Sequence, residues 1–172
     1  MSDEVHTGGC QCGAVRFRVT GKLGEPSICH CRMCQKAFGN FFAPLVGVGR
    51  AELVWTRGEP KYFRSSNHVK RGFCGNCGTP LSFVAPEDTG LAIGAFDDPA
   101  RVKPVVQFGV EAKIGYVGHL HELPERETLD DIDEAPYLAE VVSFQHPDHD
   151  TTGWEPRRQD EEDRWRPKEQ GV

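Results

Sequence analysis

No apolar run in the 172 residues approaches the roughly 18 needed to cross a bilayer, so nothing predicts a membrane span. The N-terminal Met1-Ser2-Asp3-Glu4-Val5-His6-Thr7-Gly8-Gly9 has neither a basic n-region nor an apolar h-region, so a cytoplasmic location is expected. The cysteine count is odd, seven, which no complete set of intrachain disulfides satisfies. Basic charge is scarce as well. The formal net charge is −6, and even residues 1–121, with 14 Lys or Arg against 10 Asp or Glu, are only mildly positive. That excess is too small to predict nucleic-acid binding and is compatible with a small anionic ligand. Residues 122–172 hold 16 acids against 6 bases. No internal repeat is present.

What the chain does have is cysteine in three tight clusters: Cys10-Gln-Cys12, Cys29-His-Cys31-Arg-Met-Cys34 and Cys74-Gly-Asn-Cys77. In a reducing compartment such clusters serve metal binding or redox work rather than disulfides. A thioredoxin-type pair sits at the start of a helix. Around Cys74 and Cys77, however, stand Gly72, Gly75, Gly78 and Pro80, which favour a tight loop and oppose a helix. The expectation is a metal knuckle at the tip of a hairpin.

The number seven is itself informative. A closed structural zinc takes four protein ligands, and a reactive zinc takes three and keeps one position open. Cys74 and Cys77 need a second pair, and Cys10 and Cys12 supply it across the 62 positions that separate Cys12 from Cys74. Closing that loop with metal is worth on the order of 10–16 kcal/mol in apparent terms, by comparison with small zinc fingers. Cys29, Cys31 and Cys34 remain as a trio within six residues. Three other allocations are open at this point. His30 can be a fourth ligand of the trio, His68 can close the second site, or all seven thiolates can share a two-zinc cluster. Arg32, Lys36 and Arg71 are the candidate cations to offset thiolate charge, and no distinct general acid or base stands out.

Nineteen glycines, twelve prolines and many short alternating segments argue for a turn-rich β fold in one domain. Strands are expected at 14–19, 41–48, 52–56, 61–64, 69–73, 80–84, 91–95, 105–108 and 114–117, and a short helix at 32–38. Residues 137–144 are apolar enough for a short helix or strand. The division expected is a zinc-binding domain over 1–125, an extension over 126–146 packed upon it, and a disordered acidic tail over 147–172.

Gly9-Cys10-Gln11-Cys12-Gly13, Cys29-His30-Cys31-Arg32-Met33-Cys34-Gln35-Lys36 and Arg71-Gly72-Phe73-Cys74-Gly75-Asn76-Cys77-Gly78 together resemble the glutathione-dependent formaldehyde-activating enzyme family, whose domain is shared with centromere protein V. All seven cysteines match in order and spacing, and the similarity runs over about residues 8–125, through Lys103-Pro104 to Leu123-Pro124. One departure is Lys113-Ile114-Gly115-Tyr116, where members often carry tryptophan after the lysine. The resemblance implies a mainly β fold, the β-tent, in which small antiparallel sheets lean together around a structural zinc, here with short helices and a charged C-terminal extension. It implies two zinc ions per chain, a structural one on Cys10, Cys12, Cys74 and Cys77 and a catalytic one on Cys29, Cys31 and Cys34. The activity implied is that of a carbon–sulfur lyase, an S-(hydroxymethyl)glutathione synthase-like enzyme adding glutathione or a similar small thiol to formaldehyde or another small carbonyl compound. The alternative is a non-catalytic, zinc-stabilised binding module.

Overall fold

The computed structural model describes residues 4–156. Ten strands and one α-helix follow one another as β1 (Val5–Gly9), β2 (Arg16–Thr20), β3 (Pro26–Cys29), α1 (Arg32–Phe38), β4 (Ala43–Gly47), β5 (Glu52–Arg57), β6 (Lys61–Arg64), β7 (Lys70–Phe73), β8 (Pro80–Val84), β9 (Thr89–Ala92) and β10 (Val106–Phe108). They form a three-stranded sheet in the order β1-β2-β5 and a seven-stranded one in the order β10-β3-β4-β9-β8-β7-β6. Every pairing is antiparallel except β10 with β3. The architecture is mainly β, as the turn-rich sequence requires. No helix among the described residues is long and apolar enough to cross a membrane.

The core lies where the two sheets face each other. On β2 the alternation works as expected for Phe17 and Val19, which are fully buried, and for Arg18, which points out. Phe17 meets Phe96 edge-on at 5.1 Å between ring centroids and Trp55 at 5.9 Å. Val46, Leu81 and Leu91 complete the same cluster. Each such side chain contributes about 1.5–3 kcal/mol by burial. Arg16 breaks the pattern, being buried although charged. Asp97 accounts for it, accepting from Nη1 at 2.7 Å and from Nη2 at 2.6 Å, and Asp150 accepts a further bond from Nη2 at 2.8 Å.

The helix spans the expected 32–38. It ends at Gly39, whose left-handed φ of 57° lets its N–H return to the Gln35 carbonyl. Two strands were not expected, β1 and β3; both are short, and β1 ends in two glycines that carry no β signal. The segment 114–117, expected as a strand, begins a run of 3-10 turns at Gly115–Glu122. Gly115 and Gly118 permit tight turns there, and Tyr116 packs edge-on against Phe41 at 5.4 Å instead of joining a sheet. Residues 136–140 are likewise a 3-10 turn.

From residue 122 to 145 the chain is mostly exposed, and it returns to the domain at the buried His146. The described part of the expected tail, 147–156, is anchored rather than loose. Its Asp150 pairs with Arg16 and Arg18, and Trp154 donates from Nε1 to the Cys12 carbonyl at 2.9 Å. Charge, the buried His146 ring and the half-buried Trp154 ring outweigh the low aliphatic content that suggested disorder. The acidic run 160–163 and Trp165 lie outside the described residues.

Candidate metal centres

Cys10 directly follows β1, and Cys12 occupies the turn into β2. Cys74 and Cys77 sit at the tip of the β7–β8 hairpin, where Cys74 N–H bonds the Thr79 carbonyl and Gly78 N–H the Cys74 carbonyl. The fold brings these four sulfurs within 4.8 Å of one another. Cys10 and Cys12 Sγ are 3.6 Å apart, and Cys12 and Cys74 Sγ 3.8 Å. A disulfide requires about 2.05 Å. Four sulfurs at about 2.3 Å around a tetrahedral zinc lie about 3.8 Å apart, so the spacing fits a tetrathiolate ion.

The surroundings are built for negative charge on sulfur. Val15 N–H donates to Cys10 Sγ at 3.2 Å, Asn76 N–H to Cys74 Sγ at 3.4 Å, and Asn76 Nδ2 to Cys12 Sγ at 3.2 Å. Burial, reinforced by the neighbouring Cys74 and Cys77, pushes the Cys10 thiol far above its usual range. Burial would raise Cys77 too, but the Thr79 hydroxyl and the amides of Thr79 and Cys12 outweigh it and hold Cys77 at about 6. A cation held among the four sulfurs would let them carry charge together.

The second cluster joins Cys29 at the end of β3, Cys31 at the N-terminal boundary of α1 and Cys34 in its first turn, again within 4.8 Å. Cys34 is buried, whereas Cys29 and Cys31 are half-buried. Burial and the two neighbouring sulfurs push Cys29 up to about 12. Burial acts the same way on Cys31, but the Cys34 amide, the adjacent thiols and the Arg71 charge together lower it. Both clusters can hold a metal ion.

The candidate cations separate clearly. Arg71 is 4% exposed and donates from Nη2 to Cys34 Sγ at 3.4 Å, its guanidinium lying 5.0 Å from the centre of the Phe83 ring. Arg32 is turned to Gln35 Oε1 at 3.1 Å, and Lys36 is exposed. His30 does not join the trio; its Nε2 is 2.9 Å from Gln107 Oε1 on β10. His68 is exposed in the β6–β7 turn and joins neither cluster. The two groups of sulfurs are separate, so the shared seven-thiolate cluster is not what the fold assembles.

Some supports carried no sequence signal. Gln35, 3% exposed, donates to the carbonyls of His30 at 2.7 Å and Ala112 at 3.0 Å, fastening α1 to the residues just before it and to the 3-10 turn Val110–Ala112. Gly109 has a φ of +62°, and a Cβ there would lie 2.8 Å from Cys31 N, so glycine is what permits the trio's loop to close. The 146–154 strap covers the Cys10–Gly13 turn. His146 N–H bonds the Gln11 carbonyl at 2.7 Å, and Arg57 reaches the Gly13 and Thr151 carbonyls. A Cβ on Gly13 would stand 2.4 Å from the His146 ring. Gln35 stands beside a cysteine and on the buried face of the helix, which is the nearest thing to a clue; the strap had none.

Among known proteins, the model of the family described as glutathione-dependent formaldehyde-activating enzyme matches residues 5–112. Among solved structures, the crystal structure of a Rhodobacter sphaeroides protein, a structural-genomics target, is similar with a TM-score of 0.45 and 23% identity, over 59% of this chain and 98% of that one.

Proposed function

The chain belongs to the glutathione-dependent formaldehyde-activating enzyme family, and from that membership we propose that it adds a small thiol, glutathione or one like it, reversibly to formaldehyde or another small carbonyl compound. In this reading Cys10, Cys12, Cys74 and Cys77 hold a structural zinc, and Cys29, Cys31 and Cys34 hold the catalytic one. The observation that carries it is the unequal donor count, four sulfurs in one cluster and three, two of them only half-buried, in the other.

Cys29, Cys31 and Cys34 would hold the zinc, which when bound would supply a Lewis acid able to lower the pKa of a thiol. The chain's own contribution is to gather and charge the trio. The Arg71 guanidinium offsets part of the thiolate charge from inside the protein, where a cation acts with little screening. Gln35 and Gly109 hold the loop that fixes Cys31 against α1. The reaction is an addition without redox change. The thiol sulfur forms a bond to the carbonyl carbon, the C=O π pair moves to oxygen, and that oxygen takes up the proton the thiol gave up, with water as carrier. The reverse breaks the carbon–sulfur bond.

The test is exchange NMR of the zinc-loaded protein with glutathione and labelled formaldehyde. Interconversion of formaldehyde and its S-hydroxymethyl adduct is expected to exceed the uncatalysed rate and to return to it in Cys34→Ser. An unaccelerated exchange with both clusters loaded refutes catalysis and leaves the binding module.

A further inference from the structure

The arm that precedes His146 and one edge of the larger sheet have opposite character, and within one copy neither covers the other. Residues 122–145 carry eight Asp or Glu and a single Lys or Arg, Arg126. Apolar side chains are interspersed among these acids. Tyr137, Val141 and Val142 are 67%, 62% and 73% exposed, and an exposed apolar run of this kind marks an interaction surface. Residues 141–143, Val-Val-Ser, begin with two strong strand formers yet join no strand in one copy.

The complement lies on β6. Residues 60–86, which supply β6, β7 and β8, contain no Asp or Glu, and their surface cations are Lys61, Arg64 and Lys70. β6 is the last strand of the seven-stranded order and pairs only with β7, so its outer row of backbone N–H and C=O groups has no strand beside it among the described residues. All four of its residues are exposed, Tyr62 and Phe63 among them. A groove of about 320 Å³ continues this edge, with Arg64, His68, Val69, Lys70, Val84 and Pro86 in its lining. An open edge strand is a template for another strand unless it is covered or charged. Here the charge has one sign. It keeps the β6 edges of two copies apart and admits an acidic strand.

We infer that the arm of one copy covers the β6 edge of a second copy and that the exchange is mutual, closing a symmetric dimer. Residues 141–143 add a strand to the open edge, Tyr137 packs on its exposed rings, and Asp130, Asp131, Asp133 and Glu134 meet Lys61, Arg64 and Lys70 of the partner subunit. A second copy is the occupant the chain itself argues for. It supplies both halves of the charge pair, and both halves stand exposed together in one copy. Residues 122–145 with the edge they cover reach the about 20–30 residues per partner of a stable interface. The inference is independent of the thiol chemistry proposed above.

The test is sedimentation velocity of the full-length, zinc-loaded protein over a range of concentrations. A species of twice the 19.1 kDa chain mass is expected, and its population should fall as salt is raised. Lys61→Glu with Arg64→Glu reverses the edge, and Asp133→Lys with Glu134→Lys reverses the arm. Either pair is expected to raise the dissociation constant by at least about tenfold, because like charges are then juxtaposed. An equimolar mixture of the two variants is expected to dimerise again, since each acidic arm then finds a basic edge and each basic arm an acidic one. All four side chains are exposed, and circular dichroism verifies the folds. A second measurement needs no variant. Carbodiimide cross-links are mapped in a mixture of isotope-light and isotope-heavy protein, and links from a light arm to a heavy Lys61 or Lys70 are expected.

A monomer at every concentration overturns the inference and leaves the β6 edge to a foreign partner. Cross-links confined to one isotope overturn it too, by placing the arm on its own edge. So does a dimer that both reversals leave intact, or a mixture of the two variants that stays monomeric.

Discussion

Replacing Trp154 should loosen a metal centre to which it contributes no ligand. Its indole N–H donates to the Cys12 carbonyl at 2.9 Å, and its ring meets that of His146 edge-on at 4.7 Å between centroids. Trp154→Phe keeps the ring contact and removes the donor, a loss of about 1 kcal/mol. Trp154→Ala removes in addition the ring pair, about 0.5–1.5 kcal/mol, and the apolar burial of a half-covered indole, about 1 kcal/mol more. If metal leaves through local opening of the Cys10–Gly13 turn, those losses lower the opening free energy directly. Release should then quicken about fivefold in Trp154→Phe and on the order of a hundredfold in Trp154→Ala, at 1.4 kcal/mol per factor of ten. The assay is zinc transfer from the loaded protein to a chromophoric chelator. The phase belonging to the trio, identified by its loss in Cys34→Ser, should keep its rate. A wild-type rate for the four-cysteine phase in Trp154→Ala would refute the view that the strap holds this turn closed.

The two clusters should also respond differently to loss of a ligand. Cys31→Ser is expected to lower bound metal from two ions to one with the fold kept. Cys74→Ser should cost most of the free energy of the structural site and leave the chain unfolded, as circular dichroism with elemental analysis will show. Equal damage from both would contradict the division. Acid should detach the strap, because burial and then the charges of Arg16 and Arg57 lower the His146 pKa from 6.5. A depressed folded-state pKa means the unfolded chain takes up protons first. The stability held by neutral His146 is therefore full above about 6.5 and drains as the pH falls toward the lower value, by at most about 1.4 kcal/mol per pH unit. His146→Asn should flatten that part of the stability–pH curve measured by urea melts, and an unchanged slope counts against the reading.

Membership in the family and the three local cysteine clusters were legible in the chain because chelation by C-x-C and C-x-x-C is local. Residues two or three apart reach one ion whatever the rest of the fold does, and four plus three follows from counting. The helix at 32–38 and most strands were legible for the same reason, since period and turn residues act over a few positions. The strands that escaped notice, Val5–Gly9 and Pro26–Cys29, are stabilised by their partners rather than by their own composition.

Sequence by itself determined which thiols lie close along the chain and that the fold is mainly β, and the tertiary structure joined Cys10 and Cys12 to Cys74 and Cys77. Only the tertiary structure decided which of Arg32, Lys36 and Arg71 reaches the trio, since a guanidinium on β7 meets Cys34 across 37 positions of chain. It alone turned His30 toward Gln107, and it alone folded residues 146–154 back over the Cys10–Gly13 turn, 142 positions separating Trp154 from Cys12. Contacts of that span follow from sheet order and register, and those are set by how the whole chain packs, not by any window of it.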